Sequence, residues 1–524
     1  MKLGPPDDYA HCLQQGESSL KSLDWAQARA AFTYATKLRP KEAIPWMRLA
    51  VVARVMGDWD QAFKIYQHVR SLPTDPAAGL VGAASLWLLR GLRDEAQAAA
   101  EAAMELQPQS LAALNTWFLA LQYQPELTAG QLADAARWVR DRGGEITPAR
   151  AARVAPGLGA RPLRVGYVSP DFCQHSVLWF FNPLLRAHRR GEITWYGYAL
   201  GSRRDGYTEK IRAGFDHWRD LGGLDDPACA ARIAADKLDV LVDLAGRFGE
   251  AQPGIFAWRP APVQIHYLGF CGPTGVRGLD YRITDILADP PGTDEATGET
   301  IVRLADGGGF HVFDAIDATL PVAPPPWRER GHITFGSFNN YPKLNSCVFD
   351  AWAALLRAIP TSRLVLRCES LGDAFTREAC AHAFVERGVA VARLDLRPPV
   401  PKRETHFAQY GEIDVALDPF PYNGVTTTCD ALWQGVPVAT VRGQRHSGRI
   451  GESLLTAAGL SDWIYASPEE LVAKFPERLA LPETLPDRAA LAARFRENQS
   501  RRAPALAREL EKIYTQLANG KIAR

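Results

Sequence analysis

At 524 residues, with 47% hydrophobic and 23% charged residues, the chain is too long for one ordinary domain and has the composition of a globular protein of about three. A net charge of +1 gives no electrostatic reason to expect nucleic acid or an acidic membrane as partner, and no run approaches the roughly 18 apolar residues of a membrane span. The eight Cys are scattered without a Cys-x-x-Cys pair, and the first residues lack the apolar stretch of an export leader, so a reduced, cytoplasmic setting without a structural metal site is expected.

Residues 1–142 read as helical repeats. Ala28, Ala62 and Ala96 stand 34 apart, as do Leu38, Leu72 and Leu106, and Asp24-Trp25 recurs as Asp58-Trp59. Small residues where paired helices touch, at a period of 34, with Pro40, Pro73 and Pro108 closing the units, are the tetratricopeptide signature. Three repeats span about 8–41, 42–75 and 76–109, with a degenerate fourth unit to about 140. The Leu positions are expected to fill the seams between repeats, and Trp46, Trp87 and Trp117 to lie in the core. Such an array either grips an extended peptide on its concave face or stacks on the next domain or a second copy. Residues 143–160 read as a linker.

Residues 161–318 read as an α/β domain. Strands are expected at 163–169, 195–200, 239–244, 263–268 and 280–284, with helical stretches such as 227–235 between them. This alternation implies a parallel sheet that binds ligands at the carboxyl ends of its strands. His175 falls at such an end, after the first strand, where it serves as general base or caps the following helix. Arg259 and Asp280 are expected to order loops.

A Pro-rich hinge at 319–330 leads to a second α/β domain, 331–484, with C-terminal helices over 485–524. Strand 333–338 runs into Asn339, Asn340 and Lys343; a Lys there either neutralises a diphosphate or is a solvated surface residue. The densest stretch is 418–435, Asp-Pro-Phe-Pro-Tyr-Asn-Gly-Val-Thr-Thr-Thr-Cys-Asp-Ala-Leu-Trp-Gln-Gly, between strands at 413–417 and 436–441. Its Thr run opens a helix, which makes either a phosphate site or a plain cap, and Asp430 lies one turn further on, in reach of a ribose. His446 and Arg449 either line the cleft or belong to a plain loop. The last segment, 486–519, reads as an amphipathic helix packing back across the domains.

These motifs resemble the SPINDLY and O-linked N-acetylglucosamine transferase family, the family 41 glycosyltransferases. Phe420 to Cys429 is similar to the family's nucleotide-sugar loop, Asp171 to Val177 to its active-site segment, and residues 256–264, 279–291 and 335–343 to further segments in the same order. The resemblance, over about 161–480, implies a GT-B pair of Rossmann-like domains after the repeat, with nucleotide held mainly by the second. It implies an inverting, metal-independent transfer of one sugar to Ser or Thr of a protein, with no cofactor beyond the donor substrate. His175 and Lys343 become the catalytic candidates, and Asn340, Lys402, His406, Asn423, Gly424, Thr426, Thr427, Asp430 and Arg449 the nucleotide-sugar contacts. UDP-N-acetylglucosamine is the expected donor and GDP-fucose the alternative. No Asp-x-Asp stands in a suitable place, since Asp58-Trp-Asp60 lies in a repeat helix. Two stretches depart from the pattern: Gly246-Arg247-Phe248 and Cys271-Gly272-Pro273. They leave open an inactive peptide-binding adaptor, a reading favoured if Arg247 fills the sugar pocket. An N-linked glucosyltransferase of related fold usually lacks such repeats.

Overall fold

A computed structural model describes residues 7–142, 161–293, 298–304, 309–315, 320–400 and 402–521. The expected linker at 143–160 lies outside them. The chain separates into two compact units. The first joins Met1–Gln124 to two short segments, Asn340–Asn345 and Cys368–His382; the second is the rest.

The first region forms eight helices: α1 (Asp7–Lys21), α2 (Trp25–Leu38), α3 (Ala43–Val55), α4 (Trp59–Arg70), α5 (Pro76–Leu89), α6 (Arg93–Leu106), α7 (Leu111–Gln122) and α8 (Ala129–Arg142). Their ends are written in the sequence. Asp24, Asp58, Asp75 and Ser110 each accept a backbone N–H three residues on, satisfying a group the helix leaves orphaned. Gly57 and Gly91, 34 apart, turn α3 into α4 and α5 into α6 at positive φ, which only glycine takes without strain. Ala28, Ala62 and Ala96 are fully buried, as the periodicity requires. The Leu series is a correction: Leu72 is buried, Leu38 half-buried, and Leu106 exposed. Trp46, Trp87 and Trp117 are partly buried against the repeat clusters. The degenerate fourth unit is split, α7 belonging to the first compact unit and α8 to the second. No helix among the described residues is long and apolar enough to cross a membrane.

The second unit contains two wholly parallel sheets. The first is built from β1 (Leu163–Ser169), β2 (Ile193–Ala199), β3 (His217–Asp220), β4 (Val240–Asp243), β5 (Val263–His266), β6 (Tyr281–Asp285) and β7 (Thr300–Leu304), ordered 3-2-1-4-5-6-7. The second has β8 (Thr334–Ser337), β9 (Arg363–Arg367), β10 (Leu394–Arg397), β11 (Val415–Leu417), β12 (Val438–Val441) and β13 (Ile464–Tyr465), ordered 10-9-8-11-12-13. Both orders reverse beside the first strand, at β1/β4 and β8/β11. The crevice outside such a switch point is where doubly wound sheets bind ligands.

One C-terminal helix, Arg488–Ala518, ties the two sheets together. Its Tyr514 hydroxyl meets that of Tyr167 in β1 at 3.1 Å, and Glu511 accepts the Arg189 N–H at 2.9 Å. Nearer its start, Arg496 donates to Trp433 O at 2.8 Å and Arg488 to Tyr410 O at 3.1 Å. The amphipathic pattern at 486–519 is thus realised by a single helix with partners on both lobes.

Candidate active site

At the second switch point, β11 ends at Leu417, and Asp418 organises the loop beyond it. Its Oδ1 accepts the Gly424 N–H at 2.6 Å and its Oδ2 accepts the Thr440 hydroxyl at 2.7 Å. Gly424 is required by space, since a Cβ there would stand 2.5 Å from the Thr427 hydroxyl. The loop delivers the chain into the helix Thr426–Trp433, whose cap position is Val425. Valine has no oxygen to offer, and no side chain caps this helix. The first-turn N–H groups of Thr426, Thr427 and Thr428 therefore keep their capacity for an anion, at the positive end of the helix. The plain-cap alternative does not describe this helix.

Asn339, just past β8, accepts the Thr427 hydroxyl at 3.0 Å. Phe338, Asn339, Tyr410, Asp418, Thr427 and Thr428 line a small pocket between β8 and β11. One turn into the helix, Asp430 is buried but loosely held. Its Oδ1 is 3.4 Å from Arg403 Nη2 and its Oδ2 3.4 Å from His406 Nε2. Bonds that long are weak, so both oxygens retain acceptor strength for a hydroxyl pair. Arg403 and His406 come from the helix Arg403–Gln409, whose cap position is Lys402. Lys402 itself is exposed.

Arg403 was not singled out by sequence reasoning, yet it spans the two lobes. Its guanidinium lies 3.8 Å over the Trp179 ring of the first lobe and 4.6 Å over Phe407. Burial lowers its pKa, with Asp430 pulling the other way. The signal was thin: a basic residue beside Lys402, with nothing local to say which way it faces.

Trp179 belongs to α9 (Ser176–Ala187), and His175 is the cap residue of that helix. His175 Nδ1 accepts the Val177 N–H at 3.4 Å and lies 3.6 Å from Asp171 Oδ2. Both contacts are long and compete for one nitrogen, so the cap is weak and the ring, nearly half exposed, keeps Nε2 for other work. Burial raises the pKa of Asp171, while His175 lowers it.

Four expectations are revised. Asn423 is fully buried, its amide donating to Pro419 O at 2.9 Å and accepting the Gly451 N–H at 3.2 Å, so it holds the loop instead of facing a ligand. Arg449 donates to Leu287 O at 2.7 Å and pairs with Glu452, bracing the lobes. His446 meets Asp289 Oδ2 at 2.6 Å in the same brace. The amide beside the Thr run is that of Asn339, while Asn340 is exposed one residue on. Asn340 and half-buried Lys343 lie in the other compact unit, around the 3-10 turn Tyr341–Lys343.

At the first switch point, Asp243 accepts the N–H groups of Ala245 and Gly246 and bonds His266 Nδ1 at 2.8 Å. Arg247 is buried; it donates to Thr274 O at 2.7 Å and to Gly275 O. Burial lowers its pKa to about 10 against the pull of Glu299 and Asp243. The two departures from the family pattern are therefore one joined feature, the arginine of one loop filling the carbonyls of the other. Arg259 pairs with Asp280 at 2.8 Å and orders its loop, as expected.

Comparison with known proteins bears on the family and the fold. A family model described as Glycosyl transferase family 41 matches residues 153–312 and 329–480. A protein of Oryza sativa subsp. japonica named probable UDP-N-acetylglucosamine–peptide N-acetylglucosaminyltransferase SPINDLY is 36% identical over 376 residues, covering 71% of this chain and 40% of its own length. A protein of the same name from Arabidopsis thaliana is 37% identical over 316 residues, 60% of this chain and 34% of its own. This chain thus spans about 40% or less of the length of these plant relatives. A solved O-GlcNAc transferase of Thermobaculum terrenum, a lysine-to-methionine mutant, superposes with a TM-score of 0.86 at 31% identity, covering 99% of both chains. With the switch-point helix, the paired sheets and the repeat all matched, the chain belongs to glycosyltransferase family 41.

Proposed function

We propose that this chain transfers N-acetylglucosamine from UDP-N-acetylglucosamine to Ser or Thr hydroxyls of a protein acceptor, with inversion. The observation that carries the reading is the uncapped N-terminus of the Thr426–Trp433 helix at the second switch point, with Asp430 one turn in. The names of the relatives support the donor and the peptide acceptor.

In this reading the first-turn N–H groups and hydroxyls of Thr426 and Thr427 hold the diphosphate. Asp430 accepts the ribose hydroxyls, and His406 packs at the base, with Lys402 approaching its edge. The acceptor oxygen attacks the anomeric carbon as the bond from that carbon to the β-phosphate oxygen breaks. Lys343 neutralises the charge arriving on the diphosphate. The acceptor proton passes to His175 Nε2 in the tautomer whose Nδ1–H turns to Asp171 and gives up the long Val177 N–H contact. No step is assigned to a metal ion, so turnover is expected to survive EDTA. The repeat array holds the acceptor peptide. Arg247, engaged by loop carbonyls, acts as framework, which favours a working transferase over an inactive adaptor.

The test is calorimetric titration of UDP and GDP into the wild type and Lys343→Met. Micromolar UDP binding that the variant loses supports the assignment. Preference for GDP moves the donor to GDP-fucose, and binding of neither makes the adaptor the leading account.

A further inference from the structure

The repeat array breaks its own pattern at one place. The first residues of α2 and α4 are Trp25 and Trp59, each preceded by an Asp that caps its helix. One period later the first residue of α6 is Arg93, and the cap position is Leu92, which makes no side-chain cap bond. A cation at the positive end of a helix is unfavourable, and losing the Asp cap weakens the helix further. A position that breaks two local rules together answers to a partner outside the helix.

That partner is the turn carrying Lys343, which belongs to the same compact unit. Arg93 Nη1 donates to Pro342 O at 3.2 Å and to Leu344 O at 3.0 Å, the two carbonyls on either side of Lys343. Tyr341 is buried, and its ring lies over Gly91, where a Cβ would stand 2.8 Å from Cε1. Its hydroxyl bonds Cys380, and burial raises its pKa. The neighbouring Cys368 thiol is pushed up to about 12 by burial, so both groups stay neutral. Leu344 and Asn345 are buried as well. Lys343 is thus the half-buried member of a turn fixed on both flanks.

We propose that Arg93 is a positioning residue for Lys343: the third repeat clamps the turn so that the ammonium is preorganised for the departing diphosphate. The proposal rests on the leaving-group reading of Lys343 above. A charge already in place stabilises a transition state better than one that must reorganise, and small misplacements are costly. The repeat array then takes part in the chemistry besides holding the acceptor.

The test uses the full chain as wild type, Arg93→Ala, Lys343→Met and the double variant. UDP release from UDP-N-acetylglucosamine with water as acceptor is followed, and the melting temperature of each protein is recorded. Lys343→Met is expected to lower kcat by about 10²–10³. Arg93→Ala should lower kcat by about 10–10² with donor KM changed less than about threefold. In the Lys343→Met background, Arg93→Ala should add less than about twofold, since groups acting as a unit are not additive. Near-normal kcat in Arg93→Ala, or losses that multiply, overturns the positioning role while Lys343 keeps its own. Near-normal turnover in Lys343→Met itself removes the leaving-group reading, and the Arg93 proposal with it. Should Arg93→Ala fail to fold, Arg93→Lys replaces it. A lysine keeps the charge but lacks the planar fork, so about 3–10-fold lower kcat is expected, abolished in the Lys343→Met background. Wild-type kcat in Arg93→Lys beside an unfolded Arg93→Ala marks the contact as structural only.

Discussion

In the first sheet, Asp243 at the end of β4 gathers two backbone N–H groups and His266; in the second, Asp418 after β11 gathers Gly424 and Thr440. The same topology thus ends in the same device, a carboxylate that orders the switch-point loop. Past the carboxylate the two edges diverge. Beyond Asp243 the loop is filled from within by Arg247, and the polar residues along the next strands pair with one another: Arg282 with Asp289 at 2.8 Å, and Glu299 with the Thr274 N–H at 3.1 Å. Beyond Asp418 the chain opens a helix on three threonines with valine in the cap position. The first edge turns its charged groups inward on one another, while the second opens a helix whose cap position offers no side-chain bond. On the function proposed above, binding capacity is set by what the switch-point loop leaves uncapped, with the sheet common to both edges.

If that contrast is right, damage at the first edge appears as lost stability, and damage at the second as lost nucleotide. The largest effect is expected at Asp289. Burial pushes its carboxyl pKa up, but Arg282 and His446 outweigh this and hold it below the ordinary range. Its contribution is then fully present above the unfolded value of about 4 and fades as pH falls towards the depressed folded value. Asp289→Asn should cost about 3–5 kcal/mol at pH 7 by urea unfolding, with the gap narrowing below about pH 4. A gap independent of pH would show that the charge is not what matters.

Arg247→Gln should cost about 2 kcal/mol by the same measurement, through lost charged hydrogen bonds to two carbonyls. UDP affinity by calorimetry should stay within about twofold; a large loss would place Arg247 in the donor site and blur the contrast.

At the second edge the signature reverses. Thr427→Val is expected to weaken UDP binding about tenfold, some 1.4 kcal/mol, with the unfolding midpoint nearly unchanged. Loss of stability with intact UDP affinity would make the threonine framework. The smallest effect separates two neighbours. Asn339→Ala should weaken UDP severalfold by freeing the Thr427 hydroxyl, while Asn340→Ala, exposed and without a cap bond, should change it less than about twofold. Equal losses would return the amide role to Asn340.

Much of this was legible because it is periodic or local. The 34-residue spacing placed the buried Ala28, Ala62 and Ala96, and β-branched runs located β1, β4, β8 and β12 to within a few residues. Strands missed were those at or near the sheet ends, β3, β7, β10 and β13, and also the interior β9. His217–Asp220 carries no apolar run because one side of it has no strand to pair with, and its end residues are exposed and its middle pair half-buried. That the Thr run and Asp430 share one helix was readable from one continuous stretch, since a helix fixes the spacing of its own residues. Asn423, in a loop, and Arg449, in the helix His446–Ala457, were misjudged because a polar residue reads the same whether it faces a ligand or braces the framework. Only the Pro419 and Gly451 backbone around Asn423, and Leu287 beside Arg449, distinguish the two.

The sequence alone, then, determined the solenoid, the two α/β halves and the helix that opens on Thr426, because hydrophobic period, cap residues and turn glycines act over one or two turns of chain. Tertiary structure decided which amide meets Thr427, that Arg403 lies on Trp179 across the lobes, and that Arg93 closes on the Lys343 turn 249 to 251 residues away. Such pairings depend on how separate elements pack, and a side chain's local sequence carries no record of the partner that folding brings to it.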